Sequence, residues 1–154
     1  MSDPTVEFSG PTPQIVVADA QSAIQFYQEA FAADQLLRNQ ASDGRITHCE
    51  LLVFGGRLLV VDDFDADPIS APTRLGGTTV RLHLSVPDVD RVYANAIGAG
   101  ATSLAEPNDA FWGDRYAMIC DPSGHVWSFG SGHEDLTIAE LEGRADAWSR
   151  RPQS

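Results

Sequence analysis

Apolar positions along the chain follow a strand period of two residues in some stretches and a helical period in others, and the same order of stretches occurs twice. An alternation every two residues, which is typical of strands, is followed by apolar residues at helical spacing and then by three more alternating stretches. A linker rich in Asp, Pro and Gly at residues 62–77 interrupts the pattern, which then restarts in the same order. The sequence therefore predicts two βαβββ modules, at residues 11–64 and 78–132.

The elements of the two modules occupy matching places. Each module contains one predicted helix, with Asp19 as the N-cap of the first helix and Asp88 as the N-cap of the second. The first helix is predicted to end near residue 33 and the second at Gly98. Strands of the first module are predicted at residues 12–17, 35–40, 47–54 and 57–61. Those of the second module are predicted at residues 80–86, 101–105, 115–120 and 125–129, with a loop at residues 106–109.

A repeat of 69 residues relates the modules. The triplet Val17-Ala18-Asp19 precedes Val86-Pro87-Asp88 by 69 positions, and the helices follow in step. Two such modules laid side by side would form a curved mixed sheet with a central cup. We therefore expect an α+β fold.

The segments outside the modules differ from each other. Residues 1–10 are polar with Pro and Gly, and we expect a flexible N-terminal arm. Residues 133–154 contain a predicted C-terminal helix and tail, because Thr137 and Glu140 match a capping box. The apolar face of this helix consists of Leu141, Ala145 and Trp148. The helix would pack either on its own domain or across a partner subunit.

Composition and charge narrow the class of protein. The chain has 154 residues, 43% of them hydrophobic, which suits one soluble domain. A net charge of −12 argues against binding to nucleic acid or anionic membranes, which requires basic patches. No apolar run approaches the ~20 residues that span a bilayer, and the first residues resemble no secretory signal, so we expect a cytoplasmic protein. Cys49 and Cys120 are expected to be reduced thiols.

A hairpin at the end of the second module carries the most specific motif. Residues 111–130 read FWGDRYAMICDPSGHVWSFG, in which Asp121-Pro122-Ser123-Gly124 is a strong turn between two strands. The stretch resembles the last hairpin of the vicinal oxygen chelate superfamily, which includes glyoxalase I, extradiol dioxygenases and bleomycin-binding proteins. With the tail HEDLTIAELEGRADAW it is most similar to the PhnB-like branch, and the resemblance covers residues 11–148. The motifs are specific for the fold and say little about the reaction.

The resemblance implies four inward-facing positions that hold a divalent metal ion in the metal-dependent members. They fall on Thr12 and Arg81 in the first strands, and near Val60 and on Ser128 in the last strands. Hydroxyl groups are weak neutral ligands, valine is none, and arginine places a fixed cation where the ion would lie. We therefore expect no metal and no cofactor.

Polar residues that face the expected cup are candidates for ligand binding or catalysis. His48 and Glu50 share one face of a strand and resemble a His-x-Glu pair common in the PhnB-like branch. They would form a hydrogen-bonded pair that orients a ligand, or an acid–base couple. His83, on the same face as Arg81, is the third catalytic candidate. The expected ligand-binding residues are Thr12, Gln14, Arg81, His83, Trp112, Tyr116 and Ser128.

These observations indicate a protein that binds a small molecule in the cup, for example to sequester an antibiotic. An alternative is a metal-independent isomerase or lyase that uses His48, Glu50 and His83, and a third is a dimer module with a vestigial pocket. The resemblance also implies a homodimer, whose cups form within one chain or by exchange of modules between chains.

Overall fold

A computed structural model of the protein describes residues 10–132 and 134–152. The arm predicted at residues 1–10 therefore lies outside the described residues, except for Gly10. The described chain folds into two βαβββ modules followed by a C-terminal helix, so the predicted α+β class and the internal repeat are confirmed.

The elements have the following bounds. The first module consists of β1 (Gln14–Val17), α1 (Ala20–Phe31), β2 (Asp34–Gln40), β3 (Ile46–Val53) and β4 (Gly56–Asp62). A short helix, α2 (Pro72–Leu75), lies in the linker. The second module consists of β5 (Arg81–Ser85), α3 (Val89–Gly98), β6 (Thr102–Asp109), β7 (Asp114–Cys120) and β8 (Val126–Gly132). The C-terminal helix α4 spans Ile138–Ser149. None of the helices in the described ranges is long and apolar enough to cross a membrane.

The two modules form separate four-stranded sheets with the same topology, β1-β4-β3-β2 and β5-β8-β7-β6. In each sheet the first and last strands of the module are parallel neighbours, and the remaining pairs are antiparallel. Gln14 pairs with Leu59 in the first sheet, and His83 pairs with Ser128 in the second. Both residues of the second pair lie 69 positions after those of the first, so the repeat holds in strand register as well.

One face of each sheet packs in a core that runs through both modules. A single cluster of buried side chains includes residues of both sheets and of α1 and α3, and the two helices contact each other. Burial of this apolar surface is the main term that joins the modules. The largest side chains that are fully buried include Tyr27, Phe129, Ile24, Leu51, Ile119 and Val60.

A buried carboxylate also joins the modules. Asp121 Oδ2 accepts hydrogen bonds from Tyr27 Oη of α1 at 2.5 Å and from Trp127 Nε1 at 2.8 Å. Asp121 Oδ1 accepts from the backbone N–H groups of Ser123 and His125, which closes the turn predicted at residues 121–124. Burial and the charge of Asp121 raise the pKa of Tyr27 well above its ordinary value, so the phenol remains a donor.

The strand predicted at residues 101–105 is longer than expected. Residues 106–109, predicted as a loop, continue β6. β6 is an edge strand, and its pairing with β7 is irregular between Ala105 and Asn108. Pro107 lies within this irregularity, where a residue without an N–H group is tolerated.

The linker, predicted to be without regular elements, contains α2. Pro72 occupies the first turn of α2, where its missing N–H group costs no hydrogen bond. The preceding residue, Ala71, packs on Val16 and Val61. The linker therefore covers one end of the first sheet on the side away from the core.

Candidate functional site

Each sheet has a second face that lies opposite the core, here called its open face. Because side chains alternate along a strand, the polar residues of both sheets collect on this side. The open face of the first sheet carries Gln14, His48, Glu50, Arg57 and Leu59. The open face of the second sheet carries Arg81, His83, Tyr116, Met118 and Ser128.

His83 is held in one position on β5. Its Nδ1 lies 2.8 Å from Oγ of Ser128, a buried hydroxyl that can donate to or accept from the ring. The ring lies over Gly130 of β8, where an added Cβ would be 3.0 Å from Cε1 and 3.1 Å from Nε2 of His83. The glycine thus makes room for the imidazole, and the Ser128 contact leaves Nε2 for another partner.

A cavity of about 430 Å³ lies between the modules and is called the inter-module cavity. His83 lines it from β5, Thr12 from the segment before β1, and Arg57 from β4. Its apolar wall includes Trp127, Leu58, Leu82 and Val53. The volume is in the range of small-molecule sites, and a few polar groups opposite an apolar wall are typical of such sites.

A charged cluster borders this cavity on the first sheet. Glu50 Oε1 accepts a hydrogen bond from Nε2 of His48 at 2.9 Å and another from Nη2 of Arg57. These two bonds lower the pKa of Glu50 below its ordinary value, the His48 bond being the larger cause. Glu50 is therefore an ionised carboxylate with two partners, which suits it to orient Arg57 and makes it a weak proton acceptor.

The positions that hold metal in the metal-dependent members carry poor ligands in this chain. Val60 faces the core and is fully buried, so it is not the position on the open face. Register shows that Leu59, the partner of Gln14 and the counterpart of Ser128, occupies that place. Thr12, Leu59, Arg81 and Ser128 are not a donor set for a divalent ion. Among the described residues there is also no group of three His, Cys, Asp or Glu side chains that could hold one.

The other predicted ligand-binding residues are spread over the surface of one chain. Thr12 and His83 share the inter-module cavity, and Ser128 lies beneath His83. Arg81 is exposed, and its Nη1 lies 3.6 Å from Met118 Sδ on the open face. The remaining predicted residues lie elsewhere and are Gln14, Trp112 and Tyr116.

Gln14 lines a separate groove of about 320 Å³ between β1, the linker and β5. His125 also lines it and donates from Nε2 to the Val16 carbonyl oxygen at 2.9 Å. This bond ties the second module to β1, so His125 has a structural contact.

Two residues of the inter-module cavity, Arg57 and Trp127, are absent from the predicted set. Arg57 follows the Gly55-Gly56 turn and shares the alternating face of Leu59, so the strand pattern contained a signal for it. Trp127 is 2% exposed and belongs to the core with one edge at the cavity. No sequence pattern distinguishes it from an ordinary core aromatic residue.

Comparison with known proteins gives consistent matches over most of the chain. The sequence model of the Glyoxalase/Bleomycin resistance protein/Dioxygenase superfamily matches residues 11–129. The uncharacterized protein Rv0887c of Mycobacterium tuberculosis (strain ATCC 25618 / H37Rv) is 40% identical over 134 residues, which are 85% of this chain and 79% of that protein.

Two solved structures are similar as well. TioX from Micromonospora sp. ML1 has a TM-score of 0.65 and 28% identity, covering 80% of this chain and 98% of TioX. TnmS3, an antibiotic binding protein from Streptomyces sp. CB03234, has a TM-score of 0.60 and 26% identity, covering 84% of this chain and 99% of TnmS3.

Proposed function

Because the chain belongs to the Glyoxalase/Bleomycin resistance protein/Dioxygenase superfamily, we propose that it is a metal-independent protein that binds a small molecule in the inter-module cavity. The observation that carries this proposal is the joint position of Thr12, Arg57 and His83 in the lining of one cavity that also has an apolar wall. The proposal includes no metal ion, because the side chains of Thr12, Leu59, Arg81 and Ser128 are not suitable ligands for one. The two free thiols, Cys49 and Cys120, are consistent with a cytoplasmic location, which we also propose.

The lining of the inter-module cavity favours one class of ligand. Trp127 and Leu82 would contact an apolar or aromatic body, while Arg57 and His83 would face hydrogen-bond acceptors on it. An antibiotic with an aromatic body and several acceptors meets these requirements. The similarity to TnmS3, which is described as an antibiotic binding protein, supports sequestration of such a compound as the role.

We further propose a homodimer in which the open face of the second sheet is covered by a second copy. Within one chain this face leaves Arg81 and His83 exposed, and no strand of the first sheet pairs with it in the described residues. A second copy would place a module over this face and complete the cup expected from the sequence. Light scattering across a range of concentrations should give twice the chain mass, and a monomer at high concentration would contradict the dimer.

The alternative function is a metal-independent isomerase or lyase. His83 favours it, because Ser128 holds the ring at Nδ1 and leaves Nε2 directed away from that contact, as a general base requires. Glu50 argues against it, because its carboxylate is engaged by both His48 and Arg57. An enzyme would turn the bound compound over, whereas a sequestration protein would release it unchanged.

The test is a thermal-shift screen of antibiotics, bleomycin among them, in buffer that contains EDTA. We expect at least one aromatic compound to raise the melting temperature and to be recovered unchanged by mass spectrometry after incubation. The screen is repeated with His83→Ala and with Ile138→Ala, an exposed residue of α4 that serves as the matched control. Stabilisation that appears only after addition of Zn²⁺, Ni²⁺ or Mn²⁺ would contradict the proposal.

A further inference from the structure

Four aromatic rings meet where the C-terminal helix contacts the hairpin between β6 and β7. Phe111, Trp112, Tyr116 and Trp148 line a pocket of about 330 Å³, here called the tail pocket. Trp112 contacts Phe111 edge-on with ring centroids 5.0 Å apart, and its centroid lies 5.2 Å from that of Tyr116. Trp148 of α4 lies 5.3 Å from Phe111. The tail pocket shares no lining residue with the inter-module cavity.

Specific polar contacts hold the tail on this hairpin. The backbone N–H of Glu134 donates to the Gly113 carbonyl oxygen at 2.8 Å. Arg144 of α4 pairs with the Glu134 carboxylate at 2.8 Å and donates to the Phe111 carbonyl oxygen at 3.4 Å. The position of Trp148 therefore depends on a docked tail and not on a free helix.

The four aromatic rings are held in place but are not buried. No residue of α4 is buried, and Trp148 is 54% exposed although it contacts Phe111. The Trp112 ring is fixed because its Nε1 donates to Asp114 Oδ2 at 2.9 Å. Exposed aromatic surface held in place favours stacking with a planar ligand, because little conformational freedom is lost on binding.

A cation also lines the tail pocket. Arg151, two residues after the end of α4, is one of the lining residues. The carboxylate of Asp109, which also lines it, is paired with Arg115 at 3.2 Å. Within residues 10–132 and 134–152, Arg151 takes part in no ion pair. The net charge of −12 opposes anions at long range, but salt screens that repulsion beyond about 10 Å at 0.1 M.

We propose that the tail pocket is a second ligand-binding site, which takes a planar aromatic compound that carries a carboxylate. The rings of Trp112 and Trp148 stack on the plane of the compound, and Arg151 pairs with its carboxylate. The match to the superfamily ends at residue 129, so Trp148 and Arg151 lie outside the part of the chain that it covers. The site goes beyond the proposed function, because it needs neither the inter-module cavity nor His83. It contains Trp112 and Tyr116, which the sequence predicted to bind a ligand in the cup but which do not line the inter-module cavity.

The experiment compares three probes with one ring system: 2-naphthoate, the neutral 2-naphthylmethanol and the cationic 2-naphthylmethylammonium. Each is titrated into the full-length protein by calorimetry. We expect 2-naphthoate to bind at one site per chain, with an affinity at least tenfold above that of the other two. Trp148→Ala should weaken 2-naphthoate at least tenfold. Arg151→Ala should lower its affinity to that of 2-naphthylmethanol and leave 2-naphthylmethanol itself unchanged.

Two controls distinguish binding in the tail pocket from binding in the inter-module cavity and from loss of folding. Ile138→Ala, on the same helix, should bind 2-naphthoate as the wild type does, and circular dichroism should show that all variants are folded. Unchanged binding in Trp148→Ala together with loss in His83→Ala would place the probe in the inter-module cavity and overturn the proposal. It would also be overturned if none of the probes bound at millimolar concentration. A change of Trp148→Ala from dimer to monomer, without an effect on 2-naphthoate, would identify the rings as a subunit contact instead.

Discussion

At the scale of single residues, His83 and Glu50 have different chemical possibilities despite their similar places on the open faces. His83 has one hydrogen-bond partner among the described residues, Ser128, and lines the inter-module cavity. Glu50 has two partners, His48 and Arg57, and its low pKa follows from them. In the proposed function, a ligand would therefore gain a hydrogen bond from His83, while Glu50 would act on the ligand through the position of Arg57.

Replacing Glu50 tests this assignment through the dependence of stability on pH. Because the folded-state pKa of Glu50 is lowered, its contribution is fully present above the unfolded-state pKa of about 4.3 and is lost as pH falls through the folded value. Glu50→Gln should therefore lower the melting temperature at pH 7, and the difference from the wild type should shrink toward pH 3. A difference that stays constant over this range would contradict the assignment.

The link between Tyr27 and Asp121 makes a second prediction at this scale. Tyr27→Phe removes one hydrogen bond to a buried carboxylate and should lower the free energy of unfolding by about 1.5–3 kcal/mol. The matched control is Tyr93→Phe in α3, because the Tyr93 hydroxyl makes no hydrogen bond within the described part of the chain. Urea denaturation should show a change near zero for the control, and equal losses for both variants would refute the role of Asp121.

At the scale of elements, the tail and the β6–β7 hairpin form one unit. Gly113 has a φ of +95°, and an added Cβ would lie 3.0 Å from Leu136 Cδ1 and 3.1 Å from the Glu134 carbonyl oxygen. A side chain at this position would meet both an unfavourable backbone conformation and the docked tail. The hairpin turn therefore depends on glycine for the contact that places α4.

Gly113→Ala should detach the tail and lower the free energy of unfolding by about 1 kcal/mol or more. Limited proteolysis should then cut between β8 and α4 faster than in the wild type. Gly143→Ala is the matched control, because Gly143 lies inside α4 with nothing near an added Cβ, and alanine favours a helix. If Gly113→Ala were cut no faster than Gly143→Ala, the docking contacts would have no role in holding α4.

The sequence predicted most elements because their signals are local. The caps Asp19 and Asp88 and the repeat of 69 residues place both modules without structural information. The sequence did not predict α2 or the extension of β6, because proline usually ends a helix or strand. Pro72 in α2 and Pro107 in β6 are tolerated only because of their positions in the folded chain.

The candidate site was less predictable, because it depends on contacts between modules. Alternation placed Arg81 and His83 on one face of a strand, as β5 has them, but a shift of one residue put Val60 where Leu59 lies. Thr12, predicted in the first strand, precedes β1 and reaches the inter-module cavity from there. The meeting of Trp148 with Phe111 joins segments far apart in sequence, so no local pattern contains it.

At the scale of the whole molecule, the modules are joined by one core and by polar bonds across it. Tyr27 to Asp121 and Val16 to His125 cross from one module to the other, so the cavity between them has fixed walls. A fixed cavity binds a ligand without the cost of ordering it first. The proposed function rests on this preformed cavity and on ligand-binding groups that do not include a metal.

The most direct test is calorimetric titration of the strongest compound from the thermal-shift screen into EDTA-treated protein. We predict one site per chain, an affinity equal to that of untreated protein, and at least a tenfold loss in His83→Ala, about 1.4 kcal/mol of binding free energy. Trp148→Ala should bind this compound as the wild type does. Loss of binding after EDTA treatment, or wild-type affinity in His83→Ala, would contradict the proposed function.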